Sequence, residues 1–251
     1  MTRPVLSDTA RPAARPVIRW VLLAFLLIAA GGFVALGVWQ VDRLQWKRDL
    51  IARIDARVHA TPAPMPASSS WSGVNAADDE YRRVTADGRF LHSQEVAVYA
   101  STERGPGYWI FTPLVTADGA VWINRGFVDN AHRARDSRAR HDEDEVISVT
   151  GLLRLPERAG LFLRDNVPAE DRWYTRAPDE FTAAREVPAP VAPFFVDAQN
   201  RIDTGNWPVA GMTMLQFRDN HLSYALTWFG MALLALLATG FVVRSEFRRK
   251  R

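Results

Sequence analysis

The chain has 251 residues, 48% of them hydrophobic, no cysteine and a formal net charge of +3. Without cysteine it carries no disulfide and offers no thiolate to Cu(I), which argues against thiol-based copper delivery and disulfide exchange. The positive charge belongs to the ends: four arginines against Asp8 in residues 1–19, and five basic residues against Glu246 in residues 244–251, give the tails +7 and leave −4 for the rest. An acidic middle excludes a nucleic-acid-binding face, so no nucleic-acid partner is expected.

Two uncharged apolar runs dominate the pattern, Trp20–Trp39 and Leu222–Val243. Each is about 20 residues, enough for a helix to cross a hydrocarbon core of ~30 Å. The expected organisation is a basic tail (1–19), a first transmembrane helix (20–39), an extracytoplasmic domain (40–221), a second transmembrane helix (222–243) and a second basic tail (244–251). Arg3, Arg11, Arg15 and Arg19 precede the first run, and Arg244, Arg248, Arg249, Lys250 and Arg251 follow the second. Positive charge stays on the cytoplasmic side, so both termini are expected in the cytoplasm of a bacterial cell with the middle outside its inner membrane. The second run decides, because only Arg218 lies near its other end; the first is balanced by Arg43, Lys47, Arg48 and Arg53. A cleaved signal peptide is the competing reading, disfavoured by the length of the run and by Gly37-Val38-Trp39-Gln40, which offers no small-x-small cleavage site. Gly31, Gly32 and Ala35 on the first helix, and Ala225, Ala232 and Ala235 on the second, predict small faces by which the spans pack as a pair.

Beyond Trp39, the spacing of Trp39, Arg43, Trp46, Leu50 and Ile54 predicts that the first helix continues to about Val58. Ala60–Ser70, with Pro62, Pro64 and Pro66, reads as a linker. Strands are expected over Tyr81–Phe90, Glu95–Ala100, Tyr108–Val115, Ala120–Asn124, Val146–Leu153 and Pro193–Asp197. Arg104–Gly107 reads as a tight turn, and Asp118-Gly119 is a hairpin signal. Ala131–Glu145 reads as a solvated excursion, and Asp179 as the cap of a short helix through Ala184. The fold class is membrane-anchored α+β: two transmembrane helices flanking a mostly antiparallel β domain, a sandwich or partly closed barrel, with short helices.

No nucleophile elbow, dinucleotide fingerprint, P-loop or zinc-protease helix is present, so no enzyme activity is expected and no catalytic residue is assigned. The run His141–Glu145 lacks the glycine and oxygen spacing of a calcium loop and reads as solvated charge. His59, His92 and His132 have no partner at ligand spacing and read as surface or turn residues. His221 differs, because it opens the second run and shares a helix face with Tyr224 and Trp228. Two readings stand: a polar residue of the interfacial belt, or a ligand of haem or metal at the membrane surface. Arg43 and Lys47 lie above the same interface, where they suit haem propionates.

Several stretches together resemble a known family. Gly37-Val38-Trp39-Gln40-Val41-Asp42-Arg43-Leu44-Gln45-Trp46-Lys47 is similar to the G-x-W-Q-x-x-R-x-x-W-K exit from the first span in the Surfeit locus protein 1 family of cytochrome c oxidase assembly factors. Gly105–Leu114, with Gly107, resembles its Gly-rich turn and T-P-L strand. Asn124-Arg125-Gly126-Phe127-Val128 resembles its N-R-G-W-V motif, with phenylalanine in place of tryptophan. Gly151–Arg154, Arg172–Tyr174, Ala192–Asp197 and Asn220–Phe229 resemble later segments in the same order. The resemblance implies a non-enzymatic role in building haem-copper oxidase, with haem a as transient cargo and His221 as candidate axial ligand. Trp39, Arg43, Lys47, Tyr224 and Trp228 are the other candidate haem contacts, and Gln40, Trp46, Gly107, Asn124, Arg125 and Gly126 are motif positions. Implied partners are the oxidase catalytic subunit, haem a synthase and the lipid bilayer. The alternative is a scaffold that holds oxidase intermediates and never touches haem. An exported sensor or transport accessory, and a copper chaperone, are the remaining rivals. For Asn124 and Gly126 a turn after a strand competes with cofactor contact.

Overall fold

The computed structural model describes residues 16–138, 145–157, 164–188, 190–202, 205–213 and 220–249. Arg3, Arg11, Arg15, Arg218, Lys250, Arg251 and the run His141–Asp144 lie outside them. The chain divides into two units, one formed by Met1–Ile51 with Phe217–Arg251 and the other by Ala52–Gln216.

The first unit is a pair of helices. Helix α1 runs unbroken over Pro16–Val58, so its last turns enter the second unit, and α3 spans His221–Arg249. Both are long and apolar enough to cross a membrane. Within a bilayer a helix is one of two ways to satisfy every backbone polar group, which is why these runs adopt it.

The second unit is β-rich. Its strands are β1 (Ala63–Pro64), β2 (Arg83–Phe90), β3 (Val96–Thr102), β4 (Gly105–Thr116), β5 (Gly119–Asp129), β6 (Ile147–Arg154) and β7 (Val191–Ala198), with one short helix, α2 (Pro178–Arg185). The sheet order is β1-β2-β6-β7-β5-β4-β3, and β2 also pairs with β4 through Arg89–Val115 and Phe90–Leu114. That pairing closes β2, β6, β7, β5 and β4 into a five-stranded barrel. The expectation of a mostly antiparallel barrel is met, and closure is complete; β5–β7 and β1–β2 are the parallel pairs.

Alternation sorts the side chains into two cores. Val84, Phe90, Leu114, Val121, Ile123, Val149, Leu153, Phe194 and Val196 form one cluster. On the opposite face, Val96, Val98, Phe111, Trp122 and Phe195 pack under Trp173 and under Phe181 of α2. Phe181 meets the rings of Phe111, Trp122 and Trp173 at 5.1–5.4 Å. Each such fully buried side chain contributes about 1.5–3 kcal/mol. Strand β5 is covered on both faces, so Ala120-Val121-Trp122-Ile123 is continuously apolar rather than alternating.

Several expectations shift. The Pro-rich stretch after α1 is not a free linker: Ala63 and Pro64 pair with Val84 and Thr85, and Trp71, donating to the Pro66 carbonyl at 2.8 Å, is buried in the first cluster. Proline already favours extended backbone, so docking as a short strand costs little. Tyr81 has φ 63°, which delays β2 to Arg83. Ala177, not Asp179, precedes α2, and Pro178 opens it, its missing N–H being unneeded there. The expected solvated excursion ends, among the described residues, in Arg138, whose side chain is buried on Glu95. His92 does open a short turn, His92–Gln94, but is buried rather than on the surface.

Asn124-Arg125-Gly126 does not terminate β5. The strand continues to Asp129, and the β4 register slips there, Ile110 facing Gly126 and Phe111 facing Asn124. Arg125 is the extra residue of a β-bulge. Gly126 takes φ 132°, and a Cβ on it would collide with the Val209 carbonyl. Gly126→Ala is expected to cost about 2–4 kcal/mol, from the backbone strain and the clash together, read as a lowered midpoint of denaturant unfolding by near-UV circular dichroism.

Candidate functional site

The helix pair brings His221 to Gln40. The imidazole Nδ1–H donates to the Gln40 side-chain oxygen at 2.7 Å. In a neutral imidazole, a proton held on Nδ1 by this bond puts the ring's lone pair on Nε2, the arrangement in which a metal-bound imidazole donates its second nitrogen to a neighbouring oxygen. One to two turns further along α3, Ala225 is buried and Trp228 stacks on Phe33 of α1 with ring centroids 5.7 Å apart. Ala232 and Ala235 continue the same buried line.

The face of α1 that meets α3 is not the one the glycine pair suggested. Gly31, Gly32 and Ala35 are exposed, while Ala30 and Gly37 are buried, with Phe33 partly so. Gly37 is a point of close approach, since a Cβ there would stand 2.6 Å from the Phe229 ring. On α3 the expected alanines do lie at the contact. Ala30, Phe33, Gly37 and Gln40 recur at three and four residues, so they share one face of α1, and Phe33, Gly37 and Gln40 on it meet α3 in a seam. The expected stripe of Trp39, Arg43 and Trp46 lies off this seam.

The remaining candidates divide. Trp39 and Tyr224 are both 56% exposed, on faces turned out of the pair. Trp46 is exposed too, with the Arg43 guanidinium stacked over its ring at 3.9 Å. Arg43 and Lys47 stand about 4.5 and 10.5 Å along the axis from Gln40, at 1.5 Å per residue. Thus His221, Gln40 and Trp228 share the seam, Arg43, Trp46 and Lys47 lie beyond it on α1, and Trp39 and Tyr224 flank it. Phe33 was not anticipated, because an aromatic in an apolar run carries no signal of its partner. Among the described residues, no three His, Cys, Asp or Glu side chains gather into a metal site. A single imidazole suits an iron that arrives with four ligands of its own.

The motif residues of the β-rich unit serve a different arrangement. Asn124 Nδ2 donates to Asp197 of β7 at 2.8 Å, and its oxygen accepts from the Gly126 N–H at 3.1 Å. Asp197 also accepts from Arg154 at 3.0 Å and from Thr213 at 3.1 Å. Arg154 bonds Glu80 at 2.8 Å, and Arg176 pairs with Glu157. Burial alone would lower the Arg154 pKa, but the charges of Asp197 and Glu80 hold it above its ordinary value. Burial alone would likewise raise Glu157, and the bond from Arg176 brings it below the usual carboxylate range. On the other face, Arg125 lies 2% exposed over the Phe90 ring, bonded to His92, Glu95 and Thr112. Gly107 is buried against the Phe127 ring. Phe127, in the motif's aromatic position, is buried at 5.8 Å from Trp109.

The model of the SURF1 family matches residues 27–233, which takes in most of α1, the whole barrel and the first turns of α3. The mouse Surfeit locus protein 1 is 31% identical, covering 99% of this chain and 83% of the mouse protein. The human Surfeit locus protein 1 is 31% identical over 92% of this chain and 78% of its own length. A SURF1-like protein of Monosiga brevicollis is also 31% identical, over 92% and 89%.

The seam has a direct check, made clean by the absence of native cysteine. Gln40→Cys with His221→Cys is expected to form a disulfide within one chain under mild oxidation. Ala35→Cys with Ala225→Cys, at a comparable depth but with Ala35 turned outward, is expected not to. Gel mobility after oxidation distinguishes the two.

Proposed function

The chain belongs to the SURF1 family, and from that premise we propose that it is a membrane-held assembly factor for haem-copper cytochrome c oxidase that carries haem a to the catalytic subunit. The observation that carries this reading is the bond from His221 to Gln40. It orients an imidazole with Nδ1 engaged, about two helical turns (~10.5 Å) from the Trp228–Phe33 stack. The haem is cargo rather than a resident group. His221 would supply one axial bond through Nε2, with Gln40 fixing the ring and raising its basicity. The aromatic stack offers the macrocycle an apolar wall, and Arg43 and Lys47 offer the propionates charge-assisted hydrogen bonds. One protein ligand and a partly exposed seam suit release as well as capture. No catalytic residue enters this role.

The orientation proposed with it places both termini in the cytoplasm of a bacterial cell and the β-rich unit outside the inner membrane, because the basic residues concentrate in the tails. The oxidase catalytic subunit is the proposed recipient and haem a synthase the proposed donor. A scaffold that holds oxidase intermediates without haem is the second reading, and it draws on the same family membership and the same membrane helices.

Purification from cells that make haem a, followed by absorbance spectroscopy, separates the two. Wild type is expected to carry haem, His221→Ala to lose at least nine-tenths of it, and Gln40→Ala to bind ten- to a hundredfold more weakly, as outer partners of metal ligands do. Arg43→Ala is expected to cost about 1 kcal/mol or less, because an exposed ion pair contributes little. A wild type without haem, or a His221→Ala protein with an unchanged spectrum, refutes the carrier reading. For orientation, a reporter active only outside the membrane is expected to work when fused at Ala139 and to fail at Arg251.

A further inference from the structure

Strands β5 and β7 run side by side only as far as Asn124 and Asp197. Beyond that point β7 ends, while β5 continues and pairs through Phe127 with Val209. The divergence opens a cleft of about 540 Å³ on the sheet face that carries Phe111, Trp122 and Phe195. Its walls include Trp109, Ala198 and Met212 on the apolar side and Arg154, Arg176 and Asp197 on the polar side. None of these residues belongs to the His221 seam.

The charges are unequally engaged. Asp197 is 3% exposed and accepts from Asn124, Arg154 and Thr213, so its oxygens are well supplied. Arg154 is bound to Asp197 and to Glu80. Arg176 differs: one arm of its guanidinium pairs with Glu157, and Nη1 stands 3.9 Å from Asp197, beyond hydrogen-bond length. Glu80 and Glu157 do not line the cleft, and Glu103, which does, is exposed at its rim. The cleft thus sets a guanidinium arm, held in place by its second arm, across from an indole and a thioether.

We propose that this cleft binds a small amphipathic carboxylate, the carboxylate on Arg176 and the apolar body against Trp109 and Met212. A planar guanidinium matches a carboxylate better than any other side chain, and an indole wall is the favoured apolar surface for a flat ligand. The volume suits one molecule of modest size. The inference is independent of haem carriage.

The probe is 4-trifluoromethylbenzoate, followed by ¹⁹F line broadening on the purified full chain in detergent, with empty micelles as blank. Saturable broadening is expected, displaced by benzoate and not by benzamide. Arg176→Gln is expected to weaken binding at least tenfold. Met212→Trp, which fills the cleft without touching an ion pair, is expected to abolish it with the thermal midpoint held. The proposal is overturned by broadening no greater than in micelles, by equal displacement with benzamide, or by wild-type affinity in a folded Met212→Trp protein. If Arg176→Gln unfolds, the Met212→Trp and benzamide results decide alone.

Discussion

A backbone N–H or C=O group without a partner costs several kcal/mol in a bilayer and only somewhat less in a protein core. Both units of this chain are built around that cost. In the first, helices satisfy each group along their own length, leaving side chains free to form the seam. In the second, the β2–β4 pairing at Phe90 and Leu114 closes the five central strands on themselves and leaves only β1 and β3 as edges. The requirement is hardest to meet where ladders part. At the end of the β5–β7 pairing, Asn124 accepts the Gly126 N–H and Val209 bonds Phe127 on both sides, so the bulge is capped by a side chain and by a distant segment. The family motif is thereby explained as a device for continuing a strand past the end of its neighbour.

The Asp197 network adds a second layer to that junction. It ties β5 through Asn124, β6 through Arg154 and the segment after Val209 through Thr213, all to one carboxylate of β7. Buried ion pairs of this kind are poor sources of net stability, since desolvation offsets most of the attraction. Their effect is to penalise alternatives: with any one partner displaced, a charge is left in a dry site. The junction therefore fixes the register of three strands more than it strengthens them. The seam of the helix pair works through shape instead. Gly37 admits the Phe229 ring, and that close approach sets Gln40 within reach of His221.

Much of this was legible in the residues. Two uncharged runs of helical length announced α1 and α3, Asp118-Gly119 announced the β4–β5 hairpin, and short Val- and aromatic-rich segments announced the strands to within a few residues. His221 stood out by its place at the start of a span. The failures have a common physical source: they concern partners rather than elements. Gly31 and Gly32 form as good a small stripe as Ala30 and Gly37, and only the rotation of α1 relative to α3 chooses between them. Asn124-Arg125-Gly126 reads as a turn because its residues favour turns, and the bulge that uses the same preference depends on a β4 register no local pattern encodes. His92 reads as a surface or turn residue and Arg138 as part of a solvated excursion because each is polar, and their burial follows from Arg125 and Glu95, respectively. Trp71 was hidden among prolines for the same reason, its place in the core being set by strands far along the chain.

The order of strands around the barrel has a kinetic consequence. Neighbours β4 and β5 are joined by a short turn, and β2 can reach β4 after some 25 residues have been made. Yet β6 and β7 lie between β2 and β5, and β7 comes about 60 residues after β5 ends. A nascent chain emerging from its N-terminus therefore holds a half-built sheet, with the β2 edge open until β6 is made and the apolar β5 edge open until β7 is delivered. Long-range parallel pairing is slow, and open edges recruit other chains. The interval between the synthesis of β5 and that of β7 is the period in which this protein is most exposed to aggregation, and the tether formed by α1 keeps the waiting chain at the membrane throughout it.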